Sequence, residues 1–248
     1  MNRQIYSPIV ELRQYTLHSG KRDTLIELFD REFVETQEAV GIQVIGQFRN
    51  LDDPNQFVWL RGFNEMSARE QSLQAFYGGP VWKANRDAAN ATMIDSDNVL
   101  LLRLAHPTSG FSLENKHRPQ PGSVAIRDGF VTATIYYFDK PANSSFINYF
   151  ENAVQPALIE AGASILAYFV TEDSPNTFPA LPVREGENVF VWFAGFPNQA
   201  TYEHHVDELA GSKLWKDEIS KSLKRRLKRK PELLRLSPTS RSRLTGSS

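Results

Sequence analysis

VELRQYTLHSGKRDTLIELFDREFVETQEAVGIQVIGQF, residues 10–48, returns without a gap as VTATIYYFDKPANSSFINYFENAVQPALIEAGASILAYF at 131–169, an offset of 121. The pairs Val10/Val131, Tyr15/Tyr136, Ile26/Ile147, Phe29/Phe150, Gly41/Gly162 and Phe48/Phe169 are identical. A second block, FVWLRGFNEMSAREQSLQAFYGGPVW at 57–82, realigns on 190–215 at an offset of 133, with Trp59/Trp192, Gly62/Gly195 and Trp82/Trp215 among its matches. The change of offset is a 12-residue insertion, and it falls in the proline-containing stretch 170–189. Two gapless blocks in the same order mark an internal duplication, so the fold is to be read once and applied twice.

Within one copy the hydrophobic period gives the elements. A strand over about 8–17 leads to Ser19-Gly20, after which Leu25, Ile26, Leu28, Phe29, Phe33 and Val34 recur at helical spacing until Gly41 ends the helix. Strands at about 42–49 and 56–63 flank the turn LDDPN, and VLLLRL at 99–104 is the last strand. Between them Gly78-Gly79-Pro80 breaks the second helix, with Pro80 suited to a first helical turn. The order βαββαβ, twice over, predicts an α+β protein of two tandem ferredoxin-like units packing face to face as a pseudo-two-fold dimeric α+β barrel. The expected divisions are a first repeat at 1–112, a linker at 113–129, a second repeat at 130–238 and a disordered tail at 239–248.

Strand periodicity then sorts side chains by face. Val10, Leu12, Val58, Leu60 and Gly62 share one face in the first copy; Glu11, Arg13, Tyr15, Phe57, Trp59, Arg61 and Phe63 share the other. In the second copy Val131, Ala133, Val191, Phe193 and Gly195 oppose Thr132, Thr134, Tyr136, Phe190, Trp192, Ala194 and Phe196. So many aromatics are too costly to leave in water at about 25 cal/mol per Å². The expectation is therefore that the two aromatic faces cover each other and line the barrel. Charge there is one-sided, because Glu11, Arg13 and Arg61 align with Thr132, Thr134 and Ala194. Such a cluster is either an internal ion pair or a ligand site.

Composition narrows the classes of function. The chain has 248 residues, 28 Lys plus Arg against 29 Asp plus Glu, and no cysteine. Near-neutral charge speaks against nucleic acid as a partner, and the lack of cysteine excludes disulfides, thiolate metal sites and a cysteine nucleophile. No apolar run reaches the roughly 18 residues of a membrane span and MNRQIYSP has no signal core, so a cytoplasmic protein is expected.

The strings VELRQYTLHSGKRD (10–23), QFVWLRGF (56–63), FYGGPVW (76–82) and NRDAANATMIDSDNVLLLR (85–103) resemble the NIPSNAP family, with the second half a more divergent copy. The resemblance implies the dimeric α+β barrel. It leaves biochemistry open, since related barrels include cofactor-free monooxygenases, isomerases and haem-binding enzymes, and a fold does not fix a function.

Candidate chemistry centres on the aromatic and charged face. Arg13 and Arg61 could neutralise a carboxylate or enolate, Glu11 could act as a base or orient Arg13, and Tyr15 could donate a proton, with Trp59, Tyr136 and Trp192 as ligand-binding walls. The reading is a small carboxylate or phenol bound or converted inside the barrel by an oxygenase- or isomerase-like site that needs no cofactor or metal. The alternative is an interaction module with a filled core. A homo-oligomer is compatible with either. The histidines lack helical metal-pair spacing, and His205, aligned with Ser72, reads as a surface residue. In KSLKRRLKRK at 221–230 a stripe of Ile219, Leu223 and Leu227 predicts a packed helix with a solvated basic face. The insertion at 170–189 is expected to lie over a barrel mouth as a lid.

Overall fold

The computed structural model describes residues 7–114, 116–123 and 127–246. In the first copy β1 (Ile9–Leu17) leads through α1 (Arg22–Leu28) and α2 (Val34–Glu38) to β2 (Gln43–Asn50) and β3 (Gln56–Phe63). Helices α3 (Met66–Gly78) and α4 (Pro80–Asn90), the short β4 (Met93–Asp95) and β5 (Val99–Leu104) complete it. The second copy has β6 (Phe130–Phe138), α5 (Ser144–Tyr149), α6 (Gln155–Glu160), β7 (Ser164–Thr171), β8 (Asn188–Phe196), α7 (Gln199–Gly211), α8 (Ser220–Arg226) and β9 (Glu232–Pro238). Pairing runs β5-β1-β3-β2-β9-β6-β8-β7 and returns to β5, an eight-stranded antiparallel barrel closed by β2 against β9 and β5 against β7.

The repeat persists in detail. In both copies the first helix passes through a π-helical turn, at Phe29–Phe33 and at the aligned Phe150–Val154. Each turn carries a carboxylate held by the neighbouring sheet: Gln47 donates to Asp30 at 2.6 Å, and the aligned Tyr168 donates to Glu151 at 2.7 Å.

The barrel is lined by the opposite faces from those expected. Val10, Leu12, Val58 and Leu60 meet Val131, Ala133, Val191 and Phe193 in one central core, whereas Tyr15, Phe57 and Trp59, and in the second copy Tyr136, Phe190 and Trp192, pack beneath the helices. Hydrophobicity alone could not decide this, since either arrangement hides the aromatics. The eight-stranded barrel is only just wide enough to be filled by side chains; here aliphatics fill most of it with Phe48, Phe111, Tyr137, Phe169 and Phe193, and both indoles of the central strands lie in the helical layers.

Chain outside the strands also helps to fill the barrel. Phe111 and Leu113, between β5 and β6, join its core, with Phe111 5.3 Å from Phe169 and 5.0 Å from Phe193 between ring centroids. The tail, too poor in apolar residues to predict order, is nonetheless packed over its described length. Leu244 enters the barrel core, and Arg241 pairs with Glu35 and donates to the carbonyls of Asp30 and Pro119. Directed hydrogen bonds supply what burial of apolar side chains does not. The tail also crosses the sheet so closely that a Cβ on Gly195 would lie 2.3 Å from the carbonyl oxygen of Gly246; at the aligned Gly62 it would lie 2.3 Å from Ser7. Glycine is required at both positions because chain crosses chain there.

Candidate functional site

Because the aromatic faces turn outward, each copy has its own compartment between sheet and helices. In the first copy register places Glu11 opposite Arg61, and Arg13 opposite Trp59. Glu11 is the centre of an ion cluster: Arg13 reaches it at 2.5 Å, Arg61 at 2.7 Å and Arg69 of α3 at 2.7 Å, all four side chains being 0–1% exposed. Burial alone would raise the Glu11 carboxyl, but Arg61, Arg13 and Arg69 hold it well below the usual carboxylate range. For Arg13 burial works against the charge, and Tyr15 and Glu11 more than restore it. Burial pushes the Tyr15 phenol up. Arg13 also donates to Tyr15 at 2.9 Å, and its guanidinium lies 5.5 Å from the Trp59 ring.

Arg69 is the member that sequence reasoning missed. The signal was present, since Arg69 aligns with Tyr202 at the same offset that pairs Trp59 with Trp192. Charge is thus lost at every one of the four aligned positions, not three.

The insertion closes this compartment, and its Arg184 also reaches the end of the barrel, with its guanidinium 5.5 Å from the ring of Tyr137 of the barrel core. Asn176 and Thr177 accept from Arg69 at 3.0 and 3.1 Å. Phe178 stacks on Tyr77 with centroids 5.8 Å apart, and Leu181 and Val183 pack on the first copy's helical core. What remains beside Tyr15, Gln37, Trp59 and Tyr77 is a cavity of about 30 Å³, room for one or two waters at most. The structure therefore gathers Glu11, Arg13, Tyr15, Trp59 and Arg61 as expected, but outside the barrel and without space for an organic ligand.

In the second copy the same compartment is open. A pocket of about 790 Å³ lies between β6, β8 and helices α7 and α8, walled by Thr132, Thr134, Tyr136, Trp192, Tyr202 and His205. These positions align with Glu11, Arg13, Tyr15, Trp59, Arg69 and Ser72, so the pocket occupies the volume that the ion cluster fills in the first half. Leu158, Leu209, Trp215, Leu223 and Leu227 supply apolar walls, and Lys224, Lys228 and Lys230 stand exposed at its rim. The α8 stripe packs as predicted, with Ile219 and Leu223 buried.

His205 corrects the surface reading: it is 5% exposed, and Ser72, its counterpart, is buried as well. Both sit on the helix face turned to the sheet. Burial lowers the imidazole's pKa, and Nδ1 lies 3.0 Å from the Ala161 carbonyl. Burial also pushes the Tyr136 phenol well up. The Trp192 indole N–H lies by the Tyr136 hydroxyl but makes no hydrogen bond of good geometry. Among the described residues no group of three His, Asp or Glu side chains is arranged to hold a metal, and no helix is long and apolar enough to cross a membrane.

Comparison with known proteins agrees with this architecture. Residues 10–107 match the NIPSNAP family model. A "Putative monooxygenase" from Fusobacterium nucleatum superposes with a TM-score of 0.59 at 12% identity, covering 98% of each chain. An anthrone oxidase-like protein gives 0.55 at 13% identity, covering 99% of this chain and all of its own. A NIPSNAP-like domain protein from Burkholderia xenovorans is 25% identical over 41% of this chain and 87% of its own, with a TM-score of 0.37. The two full-length likenesses establish the shared fold. No curated protein sequence matches the chain.

Proposed function

We propose that this NIPSNAP-family chain binds a small carboxylate or phenol in the second-half pocket, between sheet and helices, and that the barrel lumen takes no part. The observation that carries the reading is the 790 Å³ compartment itself, of a size suited to a drug-sized molecule and walled mainly by apolar and aromatic groups. Tyr136 and Trp192 contact the ligand. Glu11, Arg13, Tyr15, Trp59 and Arg61 hold the first half's sheet to its helices, a structural role and not a catalytic one. One full-length structural neighbour is named a putative monooxygenase and another anthrone oxidase-like, which supports an oxidative conversion over simple carriage. The filled barrel core favours the second reading, an interaction module, but that reading leaves the open compartment without a purpose.

The test is equilibrium titration with 2-naphthoate in the unmodified protein and in Thr134→Trp, which puts an indole into the pocket. Binding that the substitution abolishes is the expected result. Absence of binding to aryl carboxylates and phenols alike would refute the proposal.

A further inference from the structure

The pocket presents an acceptor that faces its open space and a buried donor, neither of which has a hydrogen-bond partner of good geometry among the described residues. A carbonyl oxygen can only accept, so the contact between His205 Nδ1 and Ala161 fixes the proton on Nδ1 and leaves the lone pair on Nε2. Burial lowers the pKa and keeps the ring neutral. Among the described residues no hydrogen bond to Nε2 is present, and the ring lines the pocket, so Nε2 is free to accept from what the pocket holds. Trp192, 6% exposed in the same wall, has an N–H that lies by the Tyr136 hydroxyl but has no partner of good geometry among the described residues. A molecule filling the pocket meets both groups, so the ligand can serve as partner to each.

These two groups discriminate between ligand classes. A carboxylate only accepts and would leave Nε2 unsatisfied, whereas a hydroxyl both donates and accepts. The pocket is also polar in two separate places. His205 and Trp192 are buried, while Lys224, Lys228 and Lys230 are exposed at the rim and have no acidic partner among the described residues. We propose that the ligand is an aromatic hydroxy acid, bound with its hydroxyl inward, donating to His205 Nε2, and its carboxylate outward among the rim lysines. This rests on the pocket being the ligand site and adds the class and orientation of what it holds.

Sites built to hydrogen-bond a hydroxyl reject analogues lacking it far more strongly than apolar pockets reject a missing methylene. The experiment compares 6-hydroxy-2-naphthoate, 6-methoxy-2-naphthoate and 2-naphthoate by titration calorimetry. The hydroxy acid is expected to bind at least tenfold more tightly than either analogue. In His205→Phe, which keeps an aromatic wall but no acceptor, that preference should collapse while 2-naphthoate still binds. Raised salt should weaken all three, as exposed lysines at the rim require. Equal affinities in the unmodified protein, or an unchanged preference in His205→Phe, would overturn the inference and leave the pocket reading standing. If none of the three binds, both fall. A circular dichroism spectrum unchanged in His205→Phe confirms that the variant is folded.

Discussion

The two halves share a strand order, paired π-helical turns and the same Tyr and Trp on the same strands, yet one compartment is sealed and the other open. Four aligned substitutions and the insertion that covers the first compartment separate them. Glu11, Arg13, Arg61 and Arg69 fill the first compartment with an ion cluster; Thr132, Thr134, Ala194 and Tyr202 leave the second with about 790 Å³ in place of about 30 Å³. The difference teaches how a duplicated fold divides its labour. One copy spends the sheet-helix interface on cohesion, and the other keeps it free for a ligand.

The largest effect is expected at Glu11. Glu11→Gln leaves three buried guanidinium groups around a neutral amide and should cost about 3–5 kcal/mol in denaturant unfolding, as removing one partner of a buried ion pair does. Thr132→Val, the aligned change in the open half, should stay within about 1 kcal/mol. Comparable losses at both positions would break the contrast.

Next come the paired tryptophans. Trp59→Ala empties a closed core and should cost about 3–5 kcal/mol. Trp192→Ala widens a space that water already reaches, and should cost at least about 1 kcal/mol less while weakening ligand binding. Equal costs would mean that the second compartment is closed in solution.

A smaller effect is expected in the insertion. Phe178→Ala removes the ring stacked on Tyr77 and should cost about 1–2 kcal/mol. It should expose residues 172–187 to proteolysis and leave titration of the second-half pocket unchanged.

The smallest effect concerns pH. Asp30, on the first π-helical turn, is pushed up to about 6 by burial, against the pull of Arg241. Its folded pKa lies above the unfolded value of about 3.9, so the folded chain binds more protons in that window. Stability from this group falls as pH rises from about 4 to 6. Glu11, whose carboxyl is held low, acts in the opposite sense: its contribution is present above the unfolded pKa and is lost as pH falls below it. Asp30→Asn should remove the decline between about pH 4 and 6 and leave the acid loss below about 4. Stability profiles of the two proteins that coincide would show that Asp30 does not titrate there.

The repeat made most of the fold legible. The offset of 121 located the first strand, helix and second strand of each half, and the strand expected at 56–63 is β3 (Gln56–Phe63). Face assignment failed because periodicity states which residues share a side but not which side meets a helix; Val10 and Trp59 were sorted correctly and then turned the wrong way. His205 was misread for a related reason. Its counterpart Ser72 is polar, and polarity on a helix suggested solvent, although Ser72 is buried too. Arg241 shows the remaining limit, since the order of the tail depends on Glu35 and on the carbonyls of Asp30 and Pro119, far away in sequence and invisible to composition.

The central claim is one of place: the ligand lies in the second half, outside the barrel. Crystals grown with 6-bromo-2-naphthoate and measured at the bromine absorption edge test it most directly. The account predicts one anomalous peak per chain, between β6, β8 and helices α7 and α8, beside Trp192 and His205. A peak in the barrel lumen, or beside Glu11, Arg13 and Arg61, would contradict it.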